Sequence, residues 1–442
     1  MKRASVIVLT VLAFWQASIS AAEILRGTWL SNPKMDQMSV SWVTNAPDVG
    51  EVAYGETANY GQIAARYACN EVRRKKDNQP IAGEYVCKAR LTKLVPGKTY
   101  YYKVSGNGLT NSVESSFRIP KETDPLTVVF LGDFYCGNRA DFDKDIAHID
   151  QYVKKGTAIG IDPDGVDMIV DVGDTRQHWA LFVDPYVCLR QIPIIIAAGN
   201  HCNEVRADKK NCTLDYNQLQ RYFDFDNNKL CHVVDYGPAR WIMKAWEEEV
   251  DIHSDKGYEH NYGGDWNDEF SSDGMKWIES SLSETTRLWK FFINHNVFFT
   301  DNEVTAAPGG NKRIAQLWPM LMKYNVRVVV NGHDHVYQRT HQVDKDGHQH
   351  PNGIYNLVPS CGNGIRFRES PCTAKFYNQS DGSCAPIGKE GNVRWFGPTY
   401  LMVNGKQGIC EAFNSKMAYR KDDSFTFTAG EGASAPSDRK KP

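Results

Sequence analysis

The chain has 442 residues, 41% of them apolar and 12% aromatic, which fits a globular protein of two or three domains. With 51 Lys and Arg against 53 Asp and Glu, its net charge of −2 provides no global field for nucleic acid or an anionic membrane. Neither is expected as a partner.

Residues 1–22 read as a secretory signal peptide. Met1-Lys2-Arg3 is basic, Val6 to Trp15 is apolar, and Ser20-Ala21-Ala22 offers small residues for cleavage. The apolar run is shorter than the roughly 20 residues of a spanning helix. The expected location is therefore secreted, or an endomembrane or vacuolar lumen. Eleven cysteines suit an oxidising compartment, and an odd number leaves at least one outside intramolecular pairs. Cys69 and Cys87 are a plausible local disulfide pair. Asn211 and Asn378 head glycosylation sequons.

Residues 23–121 predict an all-β sandwich. MSVSWVT (38–44) alternates, EVAYG (51–55) follows, and KTYYYKVSG (98–106) is aromatic and alternating after a Pro96-Gly97 turn. ESSFRIPKETDP then reads as a last strand and a linker. From 122 to 428 the pattern is α/β. LTVVFLGD, VDMIVDVGD, IPIIIAAGN and VRVVVNGHDH are apolar runs, each ending in Gly and a polar residue. Segments able to form helices lie between them, including DFDKDIAHIDQYVKK and GMKWIESSLSETTRLWK, so buried strands with covering helices are expected. Residues 429–442 read as a disordered tail.

The strand ends carry Asp133, Asp174, Asn200 with His201, His295, and His333 with His335. Carboxylates, an amide oxygen and imidazoles suit iron, zinc or manganese. Seven such groups exceed the needs of one ion and fit a pair bridged by a carboxylate. One such residue alone is more often an N-cap, a turn or a structural histidine. Five successive elements with the same ending are a stronger signal. Gly332-His333-Asp334-His335 is its most specific piece, because alternate residues of an extended turn face one way.

LGDF, DVGDTRQ, AAGNHC, FFINHN and VNGHDHVYQR resemble, in order, the five metal-binding blocks of the calcineurin-like metallophosphoesterases, and most closely those of the purple acid phosphatases. MSVSWVTN, VAYGETANYGQ and LTKLVPGKTYYYKV resemble the fibronectin type III-like domain of the plant-type members. The resemblance implies an α/β metallophosphoesterase sandwich of two mixed sheets flanked by helices, preceded by the all-β domain. It implies two metal ions, iron with zinc, manganese or a second iron. Asp133 would bind the first metal and Asp174 would bridge both. Asn200 and His295 would bind the second, His333 would join the second site, and His335 the first. Asn200 and His201 would contact the substrate phosphate. The implied reaction is phosphomonoester hydrolysis by a metal-held hydroxide, with His201 as catalytic acid or donor. A phosphodiester or nucleotide substrate is an alternative, and a homodimer is compatible with the family.

The departures cluster at the first metal. Gln177 stands where the family has its iron-binding tyrosine, and Cys202 stands where the third block has Glu. Two readings stay open. In one the first site is degraded and the chain is a weakened enzyme or a binding scaffold. In the other Tyr135, two residues past Asp133, or else His178, completes the site. His148, His232, His341, His348 and His350 match no block and read as surface or structural residues. Trp241, Trp246, Trp266, Trp277 and Trp289 read as packing residues.

Overall fold

The computed structural model describes residues 21–73, 79–133, 147, 165–174, 187–199, 217–226, 229–245, 270–299, 312–333, 337–359, 398–414 and 420–430. Residues 1–20 of the signal peptide, residues 431–442 of the tail and the expected helix at 141–155, apart from residue 147, lie outside them.

The N-terminal sandwich forms as the alternation predicts. Its smaller sheet runs β4 (Gln62–Ala64), β3 (Glu51–Gly55), β7 (Thr99–Ser105), β8 (Val113–Arg118). In β7, Tyr100, Tyr102 and Val104 are buried while Thr99 and Tyr101 face solvent, so the period of two selects the inward face. Tyr100 stacks on Phe117 with centroids 5.9 Å apart. The facing strands are β1 (Ile24–Lys34), β2 (Gln37–Thr44), β6 (Pro80–Thr92) and β5 (Arg66–Arg73). Cys69 lies opposite Cys87 across β5 and β6, with the Sγ atoms 2.6 Å apart.

These four strands do not stop at the edge of the sandwich. β1 pairs in parallel with β11 (Pro193–Ile196), through Leu30 with Pro193 and Ser31 with Ile194. One ten-stranded sheet therefore runs β20-β19-β18-β9-β10-β11-β1-β2-β6-β5 across the expected boundary near 121–122. Its further members are β9 (Leu126–Leu131), β10 (Met168–Asp171), β18 (Thr399–Asn404), β19 (Gln407–Asn414) and β20 (Arg420–Thr428). A polar clamp reinforces the junction. Arg90 of β6 grips both oxygens of Asp224 at 2.8 Å, just beyond helix α1 (Asn217–Tyr222). Burial alone would raise the Asp224 carboxyl, but donation by Ser39 and Arg90 outweighs it and holds the carboxyl below its usual range. Lys88 Nζ donates to the carbonyls of Gln220 and Phe223, and burial pushes its ammonium down to about 7.

A second sheet runs β12 (His232–Tyr236), β13 (Ala239–Lys244), β14 (Trp289–Asn294), β15 (Val328–Val330), β17 (Ile354–Val358), β16 (Gln338–Val343). It packs on the first through aromatics. Phe130 meets Trp241 edge-on at 6.4 Å and Trp289 meets Phe427 at 5.4 Å, while Trp241 stacks on Phe291 of its own sheet at 4.5 Å. Trp241 and Trp289 are thus core residues, as expected. Helices α2 (Ser272–Ser283) and α3 (Lys312–Lys323) cover the outer face with Ile278, Leu282, Leu317 and Trp318 packed toward Phe292 and Val329. Ser271 caps α2 by accepting from the Gly274 amide at 2.9 Å. The expected helical segment 274–290 is helical only to Ser283, and its last residues, from Trp289, belong to β14. Strand burial takes those residues because the indole and Phe291 serve the inter-sheet core.

Candidate metal centre

Parallel pairing of β9, β10 and β11 brings three glycine-containing strand ends to one rim: Gly132-Asp133, Gly173-Asp174 and Gly199. The second sheet delivers His295 after β14 and Gly332-His333 after β15 to the same place. Such carboxyl-end crevices are where open α/β sheets bind ligands. The two halves are tied together by the His333 amide, which donates to both Asp133 oxygens at 3.2 Å. The Gly332 amide donates to the His295 carbonyl at 3.0 Å.

Three ligand atoms of Asp133, Asp174 and His295 lie within 4.8 Å of one another, and all three residues are buried. His295 Nε2 is 3.2 Å from Asp174 Oδ2 and 3.9 Å from Asp133 Oδ1. His295 Nδ1 lies 2.7 Å from the Val172 carbonyl. Donation of Nδ1–H to that carbonyl fixes the tautomer and turns Nε2 toward the carboxylates, the usual outer support of a ligating histidine. The His333 ring stands edge-on to His295, with centroids 5.5 Å apart.

Burial favours a neutral His295 ring. The Asp174 and Asp133 carboxylates and the Val172 carbonyl outweigh it and push the pKa up to about 9. The metal-free cluster therefore holds a proton as the cation between its acids. Its donor set, two carboxylates and one imidazole with hard and borderline character, fits a transition metal in that proton's place.

The backbone is specialised for this rim. Asp133, Asp174 and His333 have φ of 57°, 63° and 72°. Each such conformation costs about 1–2 kcal/mol for an L-residue, and Asp and His are among the types found there most often. Three at one rim mean that the surroundings enforce them. Glycines supply the space. A Cβ on Gly173 or Gly332 would sit 2.4 or 2.6 Å from His295 Nδ1, and one on Gly199 would sit 2.2 Å from Asp174 Oδ1.

Residues 118–337 match the calcineurin-like phosphoesterase family, and residues 27–119 match the purple acid phosphatase N-terminal domain. The chain belongs to the purple acid phosphatase family. It is 23% identical over 351 residues to purple acid phosphatase 18 of Arabidopsis thaliana, covering 77% of this chain and 69% of that one. A relative named probable inactive purple acid phosphatase 1, from the same plant, is 25% identical over 329 residues, covering 63% of this chain and 49% of its own length. The structure of a purple acid phosphatase from yellow lupin seeds shares the fold, with TM-score 0.63 at 17% identity, over 91% of this chain and 74% of that chain.

Purple acid phosphatases use a binuclear metal centre. Of the ligand set expected here, Asp133, Asp174 and His295 converge, and His333 adjoins them through its amide and ring. Tyr135, Asn200, His201 and His335 lie outside the described residues, as do Gln177, His178 and Cys202. Among the residues expected to be bystanders, His232 and His350 are partly buried, with His232 Nδ1 2.9 Å from the Leu230 carbonyl, whereas His348 is exposed. Sequence reading missed the asparagines that hold the rim. Asn331 Nδ2 donates to the carbonyls of Asn294 and Asn296 at 2.8 and 2.6 Å, binding β15 to β14 beside His295. Their position inside FFINHN and VNGHDH, next to the histidine or glycine, is the signal the sequence carries.

Proposed function

We propose that this chain is a secreted, binuclear metal-dependent phosphatase that hydrolyses small phosphomonoesters. The observation that carries the reading is the buried Asp133–Asp174–His295 cluster at the joint rim of two sheets. Bound metals would supply positive charge for the phosphate oxygens and acidify water. Asp133, Asp174, Asn200, His295, His333 and His335 would hold them, with Tyr135 or His178 completing the first site. His201 would donate a proton or a hydrogen bond at the ester oxygen. Iron with zinc, manganese or iron is the proposed pair.

Gln177 and the relative named inactive support a second reading, a scaffold with a weakened first site. Metal analysis of purified protein with an assay on several phosphate esters separates the two. Two metals per chain and ester hydrolysis are expected. Fewer than two metals together with no hydrolysis would establish the scaffold.

Secretion rests on the signal-like residues 1–22 and on the cysteines. Among the described residues no helix is long and apolar enough to cross a membrane. Cys69 and Cys87 face each other in register, and a hydrogen bond from Cys87 pushes the Cys69 thiol down to about 7. Oxidation to a disulfide in the export compartment is the expected outcome. Mass spectrometry of a non-reduced digest should find the two peptides joined and lighter by two hydrogens. Free thiols at both positions in exported protein would refute this pairing.

A further inference from the structure

The geometry points to Asp423, far from the metal-binding blocks in sequence, as the positioning residue that sets the His333 loop. This inference rests on the metal-site reading above. The segment between β15 and β16 is described at its two ends, residues 331–333 and residue 337. At its start, Asn331 is fixed by its side-chain bonds to Asn294 and Asn296, and its amide donates to the Leu357 carbonyl at 2.8 Å. At its end, Tyr337 Oη donates to Asp423 Oδ2 at 2.6 Å. Two residues on, Arg339 forks onto the same carboxylate, Nε to Oδ2 at 2.6 Å and Nη2 to Oδ1 at 3.0 Å. The guanidinium also lies over the Phe425 ring, 4.9 Å from its centroid.

All three polar residues are buried. A two-pronged, charge-assisted contact fixes orientation as well as distance. Asp423 belongs to β20 of the ten-stranded sheet, whereas Arg339 belongs to β16 of the other. The contact therefore fixes one sheet against the other at the foot of the loop. Beside the first of these ends His333 has φ 72°, with its amide aimed at Asp133. Such a conformation persists only where the surroundings enforce it. A buried ion pair is weak evidence for stability, since apolar replacements often serve equally well. Registering a ligand loop is a role that such replacements would not fulfil.

The test uses the full mature chain and zinc alone, titrated in competition with a chromophoric chelator. The variants are Asp423→Asn, Tyr337→Phe, and the apolar triple Tyr337→Phe, Arg339→Met, Asp423→Leu. The triple leaves no buried charge unpaired, so its metal-free melting temperature should match that of the wild type. Its zinc affinity should nevertheless fall tenfold to a hundredfold, the range for an outer residue that orients a ligand. Tyr337→Phe, which deletes one oxygen, should weaken zinc severalfold in the same direction. Wild-type affinity in both the triple and Tyr337→Phe would overturn the role of Asp423 while leaving the metal site intact. Failure of the wild type to bind zinc, or unchanged binding in Asp174→Asn, would overturn the metal-site reading and this inference with it.

Discussion

Asp174→Asn is expected to lower bound metal from two ions to at most one and to reduce phosphate-ester hydrolysis by about a thousandfold or more. Loss of an outer residue that merely orients a ligand costs roughly tenfold to a hundredfold. Asp174 sits inside the cluster, 3.2 Å from His295 Nε2 and fully buried. Asparagine keeps the shape and removes the charge. The metal-free protein should behave differently. The substitution removes one of the two buried carboxylates at this rim. Less uncompensated charge is then buried, so the metal-free melting temperature should stay level or rise. Functional sites commonly give up stability in this way. Metal analysis, an ester assay and a melting curve on the metal-free protein check the three parts. Retention of two metals with full activity would remove Asp174 from the site.

The same residue shows how much was legible in the sequence. Apolar runs ending in Gly-Asp or Gly-His announced strands whose carboxyl ends share a crevice, and Asp133, Asp174 and His295 do meet there. The period of two in TYYYKVS predicted which face of β7 is buried. Other features had no local signature. The pairing of β1 with β11 joins residues more than 160 positions apart, and nothing in ILRGTWLSNPK marks an edge that continues into another sheet. Asp423 is one acid in a charged strand, RKDDSFTFT, and only the fold brings Arg339 onto it. The left-handed φ values at Asp133, Asp174 and His333 were hidden because none of these residues is glycine. The glycine before each one drew attention as punctuation, when the strained residue was its neighbour.

Gly199→Ala should lower metal content and reduce ester hydrolysis by about a hundredfold, because displacing a reacting group by about 1 Å can cost that much. Gly199 has no positive φ, so backbone freedom is not why glycine stands there. Space is the reason. An added Cβ would lie 2.2 Å from Asp174 Oδ1, 2.9 Å from its Cγ and 2.9 Å from its backbone nitrogen. The carboxylate cannot swing freely, since Asp174 is buried and its φ of 63° is already enforced. Its neighbour cannot retreat either, because the Asp133 amide is held by the Gly173 carbonyl at 2.8 Å. The methyl group must therefore displace the Asp174 carboxylate from its present place beside His295. Gly61→Ala is the control with the opposite physics. No atom lies within 4 Å of its Cβ, but its φ is +106°. That substitution should cost about 1–2 kcal/mol in backbone strain and leave metal content and turnover unchanged. Equal losses of activity in the two variants would mean that general destabilisation, and not contact with Asp174, explains the effect at Gly199.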